Sequence, residues 1–436
     1  MASNLSILKY MLFRKSLYYP LIQSAGIYTI TNILNSAIPF LVLPIMTRFL
    51  SPEDYGIVSM FSVLVSMMAT FIGLNVHGAI ARQFYEKESI DFPKFITNCF
   101  YILIASSVLT GLVTLFLSGW ISQITQFPRK WLSAVFLVCI GQFIITILLT
   151  LWQVQKKPIQ YGTYQIIQTL INVSFSILFV VFWGMNWQGR IYAQVIAVGI
   201  FASLALLILF RENCFKPRFS FFYIKNALDF GIPLIPHTLG GLAIATTDRI
   251  LITNLVGIQD TGIYVVGSQI GMIISILATS FNRAYSPWLF SQLKKEDVLL
   301  NLKIVKLTYV YDFCILMLSI TLATTAPFFL KFLVGEKFVS SSQFIIWIAL
   351  GGAFQGMYYM VTNYIFYAQK THLLAWVTFL TAVVNLISSY FLIIWNGAIG
   401  AAQGTMIAFF LSFLMTWLLS ARVYKMPWNL FFQNNF

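Results

Sequence analysis

Charge is the scarcest commodity in this sequence: only 9% of its 436 residues are Asp, Glu, Lys or Arg, where a soluble domain carries about a quarter. With 59% of residues hydrophobic and a mean hydropathy of +0.83, so few charges cannot cover a folded core, which excludes a water-soluble globule. Acids are rarer still, 13 against 27 Lys and Arg, for a formal net charge of +14. Cysteine is nearly absent. Cys99, Cys139, Cys214 and Cys314 lie in or beside apolar runs with no CxxC spacing, so they are expected as packed free thiols rather than disulfides or metal ligands. Also missing are a Gly-rich phosphate loop, HExxH, GxSxG and any Cys/His cluster, which leaves a nucleotide-driven pump or a hydrolase without support. The first twenty residues lack a long apolar core and a small-residue cleavage site, so no cleaved signal peptide is expected.

What is present is a series of long apolar runs, approximately 21–47, 56–81, 95–117, 132–155, 160–183, 191–210, 226–253, 261–286, 307–330, 341–367, 372–395 and 397–421. Each can cross about 30 Å of hydrocarbon as helix, and none shows the period-2 alternation of a membrane β-barrel. The expected class is an all-α polytopic membrane protein. With the N-terminus inside, nineteen of the 27 Lys and Arg fall on inside segments and six outside, so both termini are expected in the cytoplasm. Topology therefore explains most of the positive surplus without nucleic acid or any other partner. Arg249 and Arg283 remain, inside apolar runs. The loops are short, so no extramembrane domain is available for enzyme chemistry, and the chain is read as no enzyme.

Sliding the chain by 206 superposes Leu50 on Val256, Asp54 on Asp260, Gly56 on Gly262 and Ile57 on Ile263, each set in a tight turn between two spans. Six spans in each half then read as a duplicated six-helix unit: 1–210 an N-terminal lobe, 211–225 a cytoplasmic linker, 226–436 a C-terminal lobe. Gly231, Pro233 and Pro236 crowd the start of the seventh run, and Pro39 and Pro44 weaken the equivalent first run. Interrupted helices in corresponding positions of two halves point to a transporter's binding site, and these residues are the gating candidates.

Leu43-Pro-Ile-Met-Thr-Arg-Phe-Leu-Ser-Pro-Glu-Asp-Tyr-Gly, Gly231-Ile-Pro-Leu-Ile-Pro-His, Thr247-Asp-Arg-Ile-Leu-Ile, Gly262-Ile-Tyr and Lys157-Pro-Ile-Gln-Tyr-Gly resemble the Wzx-type O-antigen flippases. These are the polysaccharide branch of the superfamily that also holds multidrug extruders and lipid II flippases, and the resemblance runs across nearly the whole chain. It implies twelve helices in two six-helix bundles around a central cavity. By alternating access that cavity would carry an undecaprenyl-diphosphate-linked oligosaccharide between leaflets of a bacterial inner membrane, driven by H+ or Na+ with no other cofactor. Membrane lipids and the polysaccharide polymerase and chain-length machinery are the partners this suggests, with the chain itself a monomer. The rivals are a multidrug or cation extruder, which calls for a more acidic cavity, and a polytopic polysaccharide-synthesis enzyme.

An ionisable group in a span needs a partner or a wet cavity, and a diphosphate needs fixed cations. Arg249, Arg283, Arg82, His77 and His237 are accordingly the candidates to hold the anionic cargo, with Arg82 and Arg283 near equivalent under the shift of 206. Against this stand an ion pair of Arg249 with Asp248, and snorkelling or ordinary inside anchoring for the other arginines. For ion coupling the order from sequence is Asp312, Asp229, Asp248. The aromatic residues, 17% of the chain, are read mainly as interfacial belts and lipid packing.

Overall fold

The computed structural model describes residues 27–428 except 28–30, 32, 36, 39, 87–89, 296 and 371, and of His237 and His372 the backbone alone. Eleven helices among the described residues are long and apolar enough to cross a membrane, and a shorter apolar helix, α1 (Ile33–Phe49), precedes them. Pro39 lies outside the described residues, and the helix runs on through Pro44. Further along come α2 (Pro52–Phe71), α3 (Val76–Gln83), α4 (Phe92–Phe116), α5 (Ser118–Thr125), α6 (Leu132–Val154), α7 (Pro158–Ile177) and α8 (Trp187–Arg211). The remainder is α9 (Phe221–Gly231), α10 (Leu234–Leu255), α11 (Ile258–Gly271), α12 (Ile273–Leu293), α13 (Val298–Leu333), α14 (Ser342–Tyr367), α15 (His372–Asn396) and α16 (Ile399–Val423). Hydroxyls inside these helices are hidden by donating one turn back, as Thr97 does to Pro93, Thr146 to Gln142 and Thr381 to Val377, so the helices keep their polar groups from lipid.

The chain packs as two compact units, one of Met1–Met46, Phe61–Ile121 and Pro128–Leu239, the other of Thr47–Met60, Ser122–Phe127 and Gly240–Phe436. In the first, α6 packs against α3, α7 and α8, burying Ile147, Leu148, Leu151 and Ala205. The span expected over 56–81 is interrupted. Gly73, Leu74 and Asn75 follow one another with φ of 77°, 47° and 57°, a left-handed run that ends α2 and restarts the chain as α3. The Gly73 amide, cut off from the helix ladder, donates to Ser106 Oγ at 2.9 Å. A second interruption, at Ile232 and Pro233 between α9 and α10, lies against the first: a Cβ on Gly231 would fall on the Leu74 carbonyl, and Phe230 faces Gly78. Pro236 sits in the first turn of α10, where its missing N–H has no helical partner to lose.

Segment 211–225, expected as a cytoplasmic linker, is strapped to α4 of the first unit. Asn98 accepts from the Ser220 amide at 2.9 Å and donates to the Arg218 carbonyl at 3.0 Å, while the Lys216 amide donates to Thr97 at 2.8 Å. Asp91 caps α4, accepting from the Lys94 amide, and pairs with Lys216 at 2.5 Å. That hydrogen bond, with the Lys94 amide adding to it against a small burial penalty, holds the Asp91 carboxyl below its ordinary range. Close by, burial pushes the Cys214 thiol up to about 11, which keeps it protonated. Cys99 and Cys139 are buried too, but Cys314 on α13 is exposed, against the expectation that all four are packed.

In the second unit α14 is central, with α11, α12, α13 and α16 around it. Gly352 and Gly356 let α12 and α13 approach, Gly352 against Ser275 and Gly356 against Ala278 and Tyr311. Helix α13, at 36 residues, is about 54 Å long and outruns the hydrocarbon thickness. At one place the shift of 206 becomes physical. A Cβ on Gly262 would fall on the Pro52 carbonyl, and one on Gly56 on the Ile258 carbonyl, and 52 and 56 shifted by 206 are 258 and 262. The neighbouring bonds repeat the exchange: Arg48 donates to the Phe332 carbonyl at 3.1 Å, and Asn254, its counterpart, to the Ile124 carbonyl. Thr47 Oγ1 accepts from the Gly335 amide at 3.2 Å, and the carbonyl of its counterpart Thr253 accepts from Gln126 at 2.7 Å. A contact in which each half gives what it receives is the signature of a local two-fold axis, here running between Gly56 and Gly262.

Candidate functional site

Asp248, two-thirds of the way along α10, is the best-built polar centre in the spans. It is 6% exposed, and three helices deliver hydroxyls to it. Tyr264 of α11 donates to Oδ2 at 2.9 Å, Thr405 of α16 to Oδ2 at 2.6 Å, and Ser389 of α15 to Oδ1 at 3.3 Å. Asn385, one turn before Ser389, donates to Thr405 Oγ1 at 3.0 Å and so fixes which way that hydroxyl points. The approach of α15 to α16 rests on Gly404, where a Cβ would strike the Ser389 backbone. Three donors offset part of the cost of burying the Asp248 carboxyl. Its neutral oxygen neighbours are also the ligand type a hard monovalent cation accepts once the hydroxyl protons turn away. Among the described residues no group of three His, Cys, Asp or Glu comes together, so a thiolate or imidazole metal centre does not compete for this role there.

Arg249 follows Asp248 and is half-buried. Successive residues on a helix point about 100° apart, and among the described residues the ion pairs are Lys157 with Glu212 and Lys216 with Asp91, so Arg249 and Asp248 do not pair. Arg283 is exposed on α12, beside a feature the sequence reading passed over: Pro287 removes the backbone donor that would have bonded the Arg283 carbonyl. Arg82, in the last turn of α3, is exposed. Half-buried His77, just past the break in the same unit, meets Phe143 edge-on at 6.3 Å. His237 lies in the first turns of α10, and its side chain is outside the described residues.

Of the acids, Asp229 is exposed near the end of α9, and Asp312 is buried in α13 at 8% exposure. Of these three acids, Asp248 is the one with hydroxyl donors from three helices. Ser389, Asn385 and Thr405 escaped the sequence reading, although Thr381, Asn385, Ser388 and Ser389 recur at helical spacing along an otherwise apolar run. Arg190 was misplaced by it: counted as a loop cation, it is half-buried in the first turn of α8 and donates to Asn172 Oδ1 at 2.6 Å and Ser176 Oγ at 2.5 Å of α7.

A family profile described as "Polysaccharide biosynthesis protein" matches residues 21–294, well over half of the chain. The chain belongs to the polysaccharide biosynthesis protein family. Two Haemophilus influenzae proteins are similar over most of their length. One, an "Uncharacterized membrane protein", is 28% identical over 381 residues, covering 84% of this chain and 89% of the relative. The other, "Lsg locus putative protein 1", is 24% identical over 373 residues, covering 84% and 90%. In fold, this member of the family resembles the lipid II flippase MurJ in an inward closed conformation, with TM-score 0.69 at 15% identity over 92% of this chain and 87% of MurJ. It also resembles an inward-facing multidrug resistance transporter of the MATE family, with TM-score 0.65 at 15% identity over 89% and 94%. The polysaccharide biosynthesis protein is therefore a multi-pass helical membrane protein with the fold of these transporters.

Proposed function

We propose that this polysaccharide biosynthesis protein is an ion-coupled flippase for an undecaprenyl-diphosphate-linked oligosaccharide, an O-antigen or similar repeat unit, moved from the cytoplasmic to the periplasmic leaflet of a bacterial inner membrane. The observation that carries the reading is the pairing of a saturated buried carboxylate with an adjacent unpaired arginine on α10. Asp248, with Tyr264, Ser389 and Thr405 around it, supplies a site for the coupling ion, H+ or Na+. Arg249, turned away on the same helix, supplies a cation for a diphosphate, so ion and cargo act on one element. The family membership and the MurJ-like fold agree with a lipid-linked glycan as cargo.

The charge inventory favours an anionic cargo over an organic cation. Buried acids among the described residues are Asp54, Asp248 and Asp312, and Asp54 is occupied in capping α2 by accepting from the amide and hydroxyl of Ser51 at 2.9 and 2.7 Å. Arg283, Arg82, His77 and His237 are the further candidates to hold the anionic cargo, and both termini are expected in the cytoplasm. Arg249→Ala and Arg283→Ala are expected to abolish surface polysaccharide while inserting normally, and the Lys replacements to retain part of it. Wild-type polysaccharide in both Ala variants would refute the cationic role.

A further inference from the structure

The second unit contains a second buried carboxyl whose surroundings are the opposite of those at Asp248. Asp312 Oδ1 is buried without a hydrogen-bond partner, and so are the hydroxyls of Tyr311 beside it on α13, Tyr285 on α12 and Tyr364 on α14. Tyr285 is 4% exposed and Tyr364 is fully buried. These rings form one cluster with the walls around them: Phe281 stacks on both Tyr311, at 4.5 Å, and Tyr285, at 5.6 Å, and Tyr285 and Tyr364 share a core with Ile304, Val305 and Met360. Tyr285 from α12 and Tyr309 and Tyr311 from its own helix are the titratable groups near enough to feel a charge on Asp312, with Tyr359 and Tyr364 of α14 and Tyr424 beyond α16 next to them. Lys303 and Lys306, two turns earlier on α13, are exposed, and among the described residues no Lys, Arg or His pairs with Asp312.

An ionised carboxylate in such a place lacks both a counter-cation and a full set of donors, which costs several kcal/mol. A neutral carboxylic acid bears far less of that cost, because it carries no charge to desolvate. We infer that Asp312 is a proton-binding site of the second unit, a carboxylic acid at neutral pH, separate from the hydroxyl-ringed Asp248. Proton uptake converts the Asp312 carboxylate to the acid and release reverses it, with no other group changing its covalent state. Two buried acids within one unit thus have opposite neighbours: three hydroxyls donate to Asp248, and Asp312 Oδ1 receives none. The inference concerns the protein and not its cargo, so it stands or falls apart from the flippase reading.

Infrared difference spectroscopy of the full chain in lipid nanodiscs tests it, without any transport assay. At neutral pH the wild type should show a carboxylic-acid C=O band that shifts in D2O, persists in Asp248→Asn and vanishes in Asp312→Asn. Survival of the same band in Asp312→Asn would overturn the inference. Should Asp312→Asn fail to fold, Tyr285→Phe and Tyr311→Phe serve instead, each removing a hydroxyl at nearly constant volume. Both should move the C=O frequency, and a band indifferent to both would be equally contrary.

Discussion

Thr405 shows how much a single hydroxyl can decide. It gives Asp248 its shortest hydrogen bond, 2.6 Å, and is itself held by Asn385. Thr405→Val keeps the shape and removes the donor. A hydrogen bond to a charged group contributes about 1.5–3 kcal/mol, so the affinity of the site for its ion should fall roughly ten- to a hundredfold, read as a shift in the ion concentration giving half-maximal transport. Ser389→Ala, with its longer 3.3 Å contact, should cost less. Equal effects, or none, would mean that the hydroxyls only pack. The sequence placed Asp248 in the bundle but ranked it last, because rank by position along a span carries no information about donors arriving from helices 16, 141 and 157 residues away. Arg190 fails for the same reason. Near a span end it reads as a loop cation, and only the packing of α8 on α7 brings it to Asn172 and Ser176.

At the level of helices, the run lengths in the sequence were a good guide, since about 30 Å of hydrocarbon leaves a helix little choice of length. The break in the run 56–81 was not visible. Gly73-Leu-Asn75 contains no proline, and its left-handed turn is sustained by tertiary contacts, the Ser106 hydroxyl on the Gly73 amide and Gly231 under the Leu74 carbonyl. The break before α10 was visible, because proline declares itself locally. Gly56 and Gly262 make a sharper case. Their equivalence under the shift of 206 was evident, but their meeting face to face was not. Gly56→Ala and Gly262→Ala should each lower stability by about 1–3 kcal/mol, by similar amounts because the contact is reciprocal, as read from thermal unfolding in detergent. A large loss at one glycine and none at the other would contradict a shared axis. The strap at 211–223 has its own signature. Because Asp91 has its carboxyl lowered by Lys216, the pair contributes above the ordinary carboxylate range and is lost as pH falls through the lowered value. Protection of the Lys216 and Ser220 amides from exchange should therefore fall on acidification, and Asp91→Asn should show the lower protection already at neutral pH.

For the molecule as a whole, the scarcity of charge divides into three parts. Most Lys and Arg fall between the long apolar runs, a few arginines lie within helical packing, and three buried acids among the described residues each have a distinct environment. Asp54 caps a helix, Asp248 is saturated with donors, and Asp312 is left among unpaired tyrosine hydroxyls. The most direct test is flipping of a short-chain polyprenyl-diphosphate oligosaccharide in proteoliposomes under imposed proton or sodium gradients. Wild-type protein should translocate the lipid, accelerate under one of the two gradients, and lose that acceleration in Asp248→Asn while the protein remains folded. Translocation indifferent to both gradients, or equally gradient-driven in Asp248→Asn, would contradict the account.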